Sequence, residues 1–363
     1  MICRASGFAA FTASTDLSPV RAADGLRLEQ LHQLVPGVAA ATLLATLALL
    51  AAHLPWVAAW GMGTLTLAIV LGMLLGNLGV WSAGRTDAGI DFCKSTMLRI
   101  GIVLFGFRIT FQEIGEVGLA GIAIGIVVVL LTFTVAVALG TRVFGLDRQS
   151  SILIGAGASI CGAAAVMATQ GVVRARPETV SVAIATVVVF GTLSMFIYPL
   201  LYPHLGMDEH AYGVFVGSTV HEVAQVVAAG QSVGEQAAAT AVIEKMWRVT
   251  LLAPFLLALG FGSGAGGGES GRRARIAIPW FAVLFIVAAS LNSLQVLPPM
   301  LVEGFGSLAT FLLAIAMAAL GLRTRFQVIR EAGVKPLKLG AAVCVFLIVG
   351  GYMINIVLAR LLG

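Results

Sequence analysis

The sequence predicts an all-α polytopic membrane protein with about 9–11 membrane segments, inverted structural repeats and two interrupted or re-entrant segments. Three observations predict it: an apolar composition, a succession of runs of membrane-spanning length, and an internal repeat. Of 363 residues, 59% are hydrophobic, 11% are charged and only 17 are acidic, and the mean hydropathy is +1.00. These values exclude an ordinary soluble domain, and the gaps between apolar runs are too short to hold one. Cys3, Cys93, Cys161 and Cys344 stand singly, so neither a metal site nor a disulfide scaffold is expected from them.

Residues 1–35 read as a cytoplasmic N-terminal leader, in which Arg4, Arg21 and Arg27 mix with Asp16, Asp24 and Glu29 and no signal-peptide core appears. The stretch "GLRLEQLHQL" within it suits a short amphipathic helix on the membrane surface. The membrane domain covers 36–363: a first repeat at about 36–172, a linking helix at about 178–202 and a second repeat at about 211–363. Eleven apolar segments fill it, at 36–54, 58–80, 92–107, 118–140, 151–170, 178–202, 211–230, 237–261, 276–297, 305–322 and 337–361. Each is near the ~20 residues that a spanning helix needs.

Two of the segments are unusual. The fifth, "SILIGAGASICGAAAVMATQ", has Gly155, Gly157 and Gly162 around its middle, and the seventh, "VGSTVHEVAQVVAAG", centres on His221, Glu222 and Gln225. Glycine costs a helix interior about 1 kcal/mol relative to alanine, so such a cluster suits close packing or an interrupted helix. Irregular backbone at membrane depth must be buried in protein or line a wet cavity.

Internal repetition favours interruption. "GFRITFQEIGEVG" at 106–118 and "GLRTRFQVIREAG" at 321–333 share Gly106/Gly321, Arg108/Arg323, Phe111/Phe326, Gln112/Gln327, Ile114/Ile329, Glu116/Glu331 and Gly118/Gly333. "LPWV" at 54–57 pairs more weakly with "IPWF" at 278–281, and Gly157–Gly162 aligns with Gly217–Glu222 mainly through small residues. If the fifth and seventh segments re-enter while the other nine cross, Arg4, Arg21, Arg27, Arg85, Arg142, Arg148, Arg174, Arg176, Arg272, Arg273, Arg275, Arg323, Arg325, Arg330, Lys335 and Lys338 fall inside. Arg108 and Arg360 are left outside. Both repeat pairs are then oppositely oriented, the architecture of secondary transporters. The net charge of +5 is thus topogenic, and no nucleic-acid partner is expected.

At ~100° per residue, Ser218, His221, Glu222 and Gln225 make one polar stripe on a continuous helix. "TAVIEKMWRVTLLAP" places Thr240, Glu244 and Arg248 on one face, with Lys245 at its edge. Charges at such depth serve a pathway or pair with one another. On the first reading Lys245 and Arg248 give positive potential for an anion, and Glu222 or His221 exchanges a coupling proton. Ser159, Cys161, Gly162, Ser218, His221 and Gln225 complete the expected substrate site, with backbone N–H groups at the interruptions. On the second reading Glu244 and Arg248, at i and i+4, form a structural ion pair. Arg108 and Arg323 follow the ends of helices, where capping or a topogenic role suits them.

"GAGASICGAAAVMAT", "GSTVHEVAQVVAAG", "AVIEKMWRVTLLAP", "IPWF" and "LLAIAMAALGLRTR" closely resemble the motifs of the YeiH-type bacterial inner-membrane proteins, which carry the label of sulfate exporters. The resemblance runs from about residue 36 to the C-terminus. It implies a multi-pass secondary transporter of the cytoplasmic membrane, with a small anion such as sulfate or an organosulfonate as substrate. A proton or sodium ion would be the coupling ion and a homodimer the assembly. The family pattern has a small or apolar residue where Glu244 precedes Lys245, which sets Glu244 apart from the expected site.

A cation/proton exchanger or an anion channel of the same fold is the alternative. An enzyme is not expected: "HEVAQ" puts Gln225 where the zinc signature H-E-x-x-H needs its second histidine. No phosphate-binding G-x-x-x-x-G-K-[ST] loop occurs, and "GSGAGGGESGRRARI" at 262–276 has the composition of a cytoplasmic linker. The sequence calls for no cofactor.

Overall fold

The computed structural model describes residues 18–54, 57, 63–78, 84, 86–262, 280–325, 327, 330 and 332–362, with the backbone alone for 18–32. The first part of the leader, the side chains of the surface-helix stretch up to residue 32, Arg85, the linker at 263–276 and its arginines lie outside the described residues. So do Pro55, Trp56, Ile278 and Pro279 of the weak repeat and Phe326, Val328, Ile329 and Glu331 of the strong one. Among the described residues the regular structure is entirely helical.

Helix α1 (Ser18–Ala52) is followed by α2 (Thr64–Asn77). Helix α3 (Asp87–Phe92) runs through a π-helical turn (Cys93–Met97) into α4 (Leu98–Phe105), which ends in a 3₁₀ turn at Gly106–Arg108. Helix α5 (Phe111–Arg142) starts at a capping box in which Thr110 and Glu113 satisfy each other's backbone N–H groups. The next segment is split into α6 (Arg148–Ser159) and α7 (Ala163–Val173), and α8 (Pro177–Leu205) begins on proline and ends on left-handed Gly206. A second split pair, α9 (Glu209–Thr219) and α10 (Val223–Gln231), precedes α11 (Glu235–Thr250) and α12 (Leu252–Gly262). Helices α13 (Trp280–Ser293), α14 (Pro299–Arg323) and α15 (Val334–Leu362) complete the chain. Among the described residues five helices, at 33–52, 111–142, 177–205, 299–323 and 334–362, are long and apolar enough to cross a membrane alone.

Both split segments are hairpins. Gln149 at the start of α6 donates to the carbonyl of Val173 at the end of α7, 3.1 Å away. Tyr212 near the start of α9 reaches the carbonyl of Ala229 near the end of α10 at 3.4 Å. Each segment therefore enters and leaves on one side. The side of the first hairpin carries Arg142, Arg148, Arg174 and Arg176, which makes it cytoplasmic, and the second enters from the opposite face.

Packing repeats under an exchange of α2 with α13, α3–α4 with α14, α5 with α15, the first hairpin with the second, and α8 with α11. Helix α4 packs on α13 as α14 does on α2, α5 on α6 as α15 on α9, and α5 on α11 as α15 on α8. Helix α8, which the sequence suggests as a linker, thus has a counterpart in α11. Repeated glycines do the same job in both copies. A Cβ on Gly321 would lie 2.3 Å from the Ile69 carbonyl of α2, and one on Gly106 would lie 2.7 Å from the Phe285 carbonyl of α13. Small residues let membrane helices approach at such contacts.

Three sequence expectations are corrected. The stripe of Ser218, His221, Glu222 and Gln225 does not exist, because α9 stops at Thr219 and Val220 and Glu222 are extended. Glu244 and Arg248 do not pair: among the described residues the carboxylates bridged by cations are Asp87 and Asp91, both held by Arg323 at 3.3 and 2.6 Å. Arg323 accordingly clamps α3 to the end of α14 rather than merely capping its own helix.

Candidate functional site

The tips of the two hairpins meet in the interior. The breaks are Ile160-Cys161-Gly162 and Val220-His221-Glu222, the same register in the two aligned segments. Each break exposes the carbonyl end of one half-helix and the N–H end of the next, with Ile160, Cys161, Gly162, Val220 and His221 buried. Partial charges of about −0.5 and +0.5 accompany those ends.

Helix α11 supplies the donors for the carbonyl ends. Lys245 Nζ donates to the carbonyls of Ile160 and Val220, both at 2.7 Å, thereby bridging the two tips. Arg248 Nε donates to Ser159 at 3.1 Å, and its terminal nitrogens donate to Gly217, Val220, Ala158 and again Ser159. All five guanidinium protons are engaged, and both cations are fully buried. The sequence marks these cations for an anion; their hydrogen bonds go to backbone carbonyls.

Glu222 serves the N–H ends. It caps α10 in a box with Gln225, whose side chain accepts the Glu222 N–H at 3.1 Å, and it also accepts the N–H of Ala163 at the start of α7, 3.2 Å away. Gly162 permits this approach: its φ is +69°, and a Cβ there would fall 2.3 Å from Glu222 Cγ. One carboxylate thus sits on two positive helix ends, opposite two cations on the negative ends.

Other predicted residues scatter around this centre. Cys161 and His221 are at the tips, and His221 Nδ1 is buried without a partner among the described residues. Ser159 turns its hydroxyl back to the Ala156 carbonyl at 3.3 Å. Ser218 faces α15, where Asn355 donates to it at 3.1 Å, and Gln225 faces α8, donating to Thr192 at 3.3 Å. Ser218 and Gln225 therefore hold the hairpin to different neighbours. Asn355 and Thr192 escape the sequence reading; an asparagine inside the apolar "YMINIVLA" is the one signal that could have raised the first.

Cavities border the open ends of the two hairpins, and no residue of either break lines any of these three. On the outer side one of about 870 Å³ is lined by Arg108, Glu113, Glu116, Glu235, Thr240 and Glu303, and another of about 600 Å³ by Glu116, Asp208, His210, Asn355 and Arg360. An inner cavity of about 600 Å³ runs between α5, α6, α7 and α12 and carries Arg148 and Arg174.

A family model described as Conserved hypothetical protein 698 matches residues 36–340. The UPF0324 inner membrane protein YeiH of Escherichia coli (strain K12) is 48% identical over 339 residues, covering 92% of this chain and 97% of that protein. The UPF0324 membrane protein PA5383 of Pseudomonas aeruginosa is 51% identical over 336 residues, covering 89% and 94%. YeiH of Salmonella typhi is 48% identical over 338 residues, covering 91% and 95%. With helices of spanning size and these relatives, the chain belongs to the YeiH-type UPF0324 family of bacterial inner-membrane proteins.

Proposed function

We propose that this protein is a secondary active transporter of a small anion, working by alternating access with the hairpin tips as its substrate site. The observation that carries the reading is the charge arrangement at the tips. The two carbonyl ends and two N–H ends cancel, and Lys245 with Arg248 outweighs Glu222 by about one positive charge. Lys245 uses two of its three donors on carbonyls, which leaves one for a ligand. The arginines of the inner cavity add positive potential at a cytoplasmic entrance.

The helices also fall into two groups suited to relative movement. Helices α1–α4, α13 and α14 pack together, as do α5–α11 and α15, while contacts between the groups are confined to a few places, α5 and α11 against α13 and α10 against α14. The larger outer cavity lies between the groups. Its four acidic residues favour the second reading, a cation/proton exchanger, in which the tip cations are purely structural.

The family resemblance points to a sulfur oxyanion, so the test pairs thermal unfolding with uptake into proteoliposomes, using sulfate, sulfite, thiosulfate, taurine and small carboxylates. An anion at 100 times its Kd stabilises the protein by about 2.7 kcal/mol. One anion class should raise the melting temperature and enter saturably. Stabilisation by sodium or pH alone, with no anion uptake, sinks the anion reading, and an unsaturable conductance replaces it with a channel.

A further inference from the structure

Glu244 stands apart from the tip cluster although it adjoins Lys245 in sequence. Its residue is fully buried, and among the described residues neither carboxyl oxygen has a hydrogen-bond partner. It occupies a niche of glycines. A Cβ on Gly121 would lie 2.7 Å from Oε2, one on Gly125 would lie 2.9 Å from Oε1, and one on Gly217 would lie 2.7 Å from the Glu244 Cβ. Any other residue at these positions would press on the side chain, so α5 and α9 leave room for the carboxyl while offering it no donor.

The charged groups around it are accounted for. On its own helix, Arg248 gives all five N–H groups to carbonyls and Lys245 points to the tips. From α10 comes Glu222, engaged with the N–H ends. From α9 come His210 and Glu209 with the Asp208 cap, at the outer end, and from α5 comes Glu116. Helices α12 and α13 bring no ionisable residue. An ionised carboxylate in such a place is costly, whereas a neutral acid is not.

A route to water is at hand. Gly121, which lies against Oε2, also lines the outer cavity that holds Glu116, Asp208 and His210. Thr240, one turn above Glu244, meets His210 Nδ1 at 3.4 Å and lines the other outer cavity.

We infer that Glu244 is the proton-binding site of this protein, loaded in the closed niche and exchanging with the outer cavity that Gly121 also lines. The carboxyl O–H breaks as an O–H of an outer-cavity water forms, leaving carboxylate and hydronium, and the reverse step reloads the acid. The site stands on its own geometry; its use in coupling rests on the transporter reading.

Infrared difference spectra of purified protein in H2O and D2O, taken across a pH series, test the site without a substrate. The wild type should show the carbonyl stretch of a buried, protonated carboxylic acid at neutral pH, and Glu244→Gln should lose that band entirely. Glu244→Asp, which keeps an acid, should retain it at a shifted frequency and covers the case in which Glu244→Gln fails to fold. An identical band in wild type and Glu244→Gln, or no band in the wild type, overturns the inference. In proteoliposomes loaded with a pH dye, wild-type anion flux should move protons and Glu244→Gln flux should not. Equal proton movement in both also overturns it, whereas an absence of anion flux in the wild type strikes the transporter reading and leaves the infrared result standing.

Discussion

At the scale of single residues, the two buried cations of α11 decide whether the hairpin tips can stay in the membrane. The sequence marks Lys245 and Arg248 as unusual, and the expectation it raises is that either alanine variant loses anion binding without unfolding. Their partners change that expectation. Hydrogen bonds between membrane helices average about 0.6 kcal/mol each, so the five from Arg248 amount to roughly 3 kcal/mol. Arg248→Ala should therefore lower stability by about 3 kcal/mol. Lys245→Met should cost less, because Val220 keeps its bond from Arg248 and only the Ile160 carbonyl is orphaned. Thermal unfolding in detergent checks both, and an Arg248→Ala protein that melts like the wild type would contradict the assigned role. Residue type and depth were legible in the sequence here. The partners were not, because they are backbone carbonyls that no side-chain pattern announces.

At the scale of elements, the fifth segment declares its break through Gly162, whereas the seventh hides its own. Val220-His221-Glu222 contains neither glycine nor proline, so a 100° periodicity runs across it undisturbed and yields a polar stripe on a helix that is not there. What ends α9 is tertiary: Lys245 and Arg248 take the carbonyls that α10 would have used had the helix continued. The positive-inside pattern was the better guide, since it favours re-entry at both segments. Labelling can test the hairpins directly. In a background freed of native cysteines, Arg148→Cys and Arg174→Cys, both exposed, should react with an impermeant maleimide only from the cytoplasmic side. His204→Cys and Glu235→Cys, also exposed, should react only from the opposite side. A broken helix that crosses the membrane would instead put the two members of each pair on opposite faces.

At the scale of the whole molecule, the strongest signal in the sequence turns out to be the joint between the two groups of helices. "GFRITFQEIGEVG" leads from α4 into α5 and "GLRTRFQVIREAG" from α14 into α15, so each copy carries the chain from one group to the other. The weaker relation between α8 and α11 left no readable trace, because only packing geometry is shared there. Both joints end on glycine in positive-φ backbone, Gly118 at +51° and Gly333 at +84°. Among the described residues nothing lies within 4 Å of a Cβ built on either, so the glycines are required by conformation and not by space. Backbone of this kind costs a residue with a side chain about 1–3 kcal/mol. Gly118→Ala and Gly333→Ala should each lose that much stability, and the double variant should lose the sum to within about 0.5 kcal/mol, as separate sites do. Thermal unfolding of the three variants in one detergent measures this. Similar penalties that add would make the two joints equivalent parts of one inverted design. A penalty at one glycine alone would mean that the repeat survives in sequence at one joint without its conformational role, and movement of the two groups about paired joints would have to be given up.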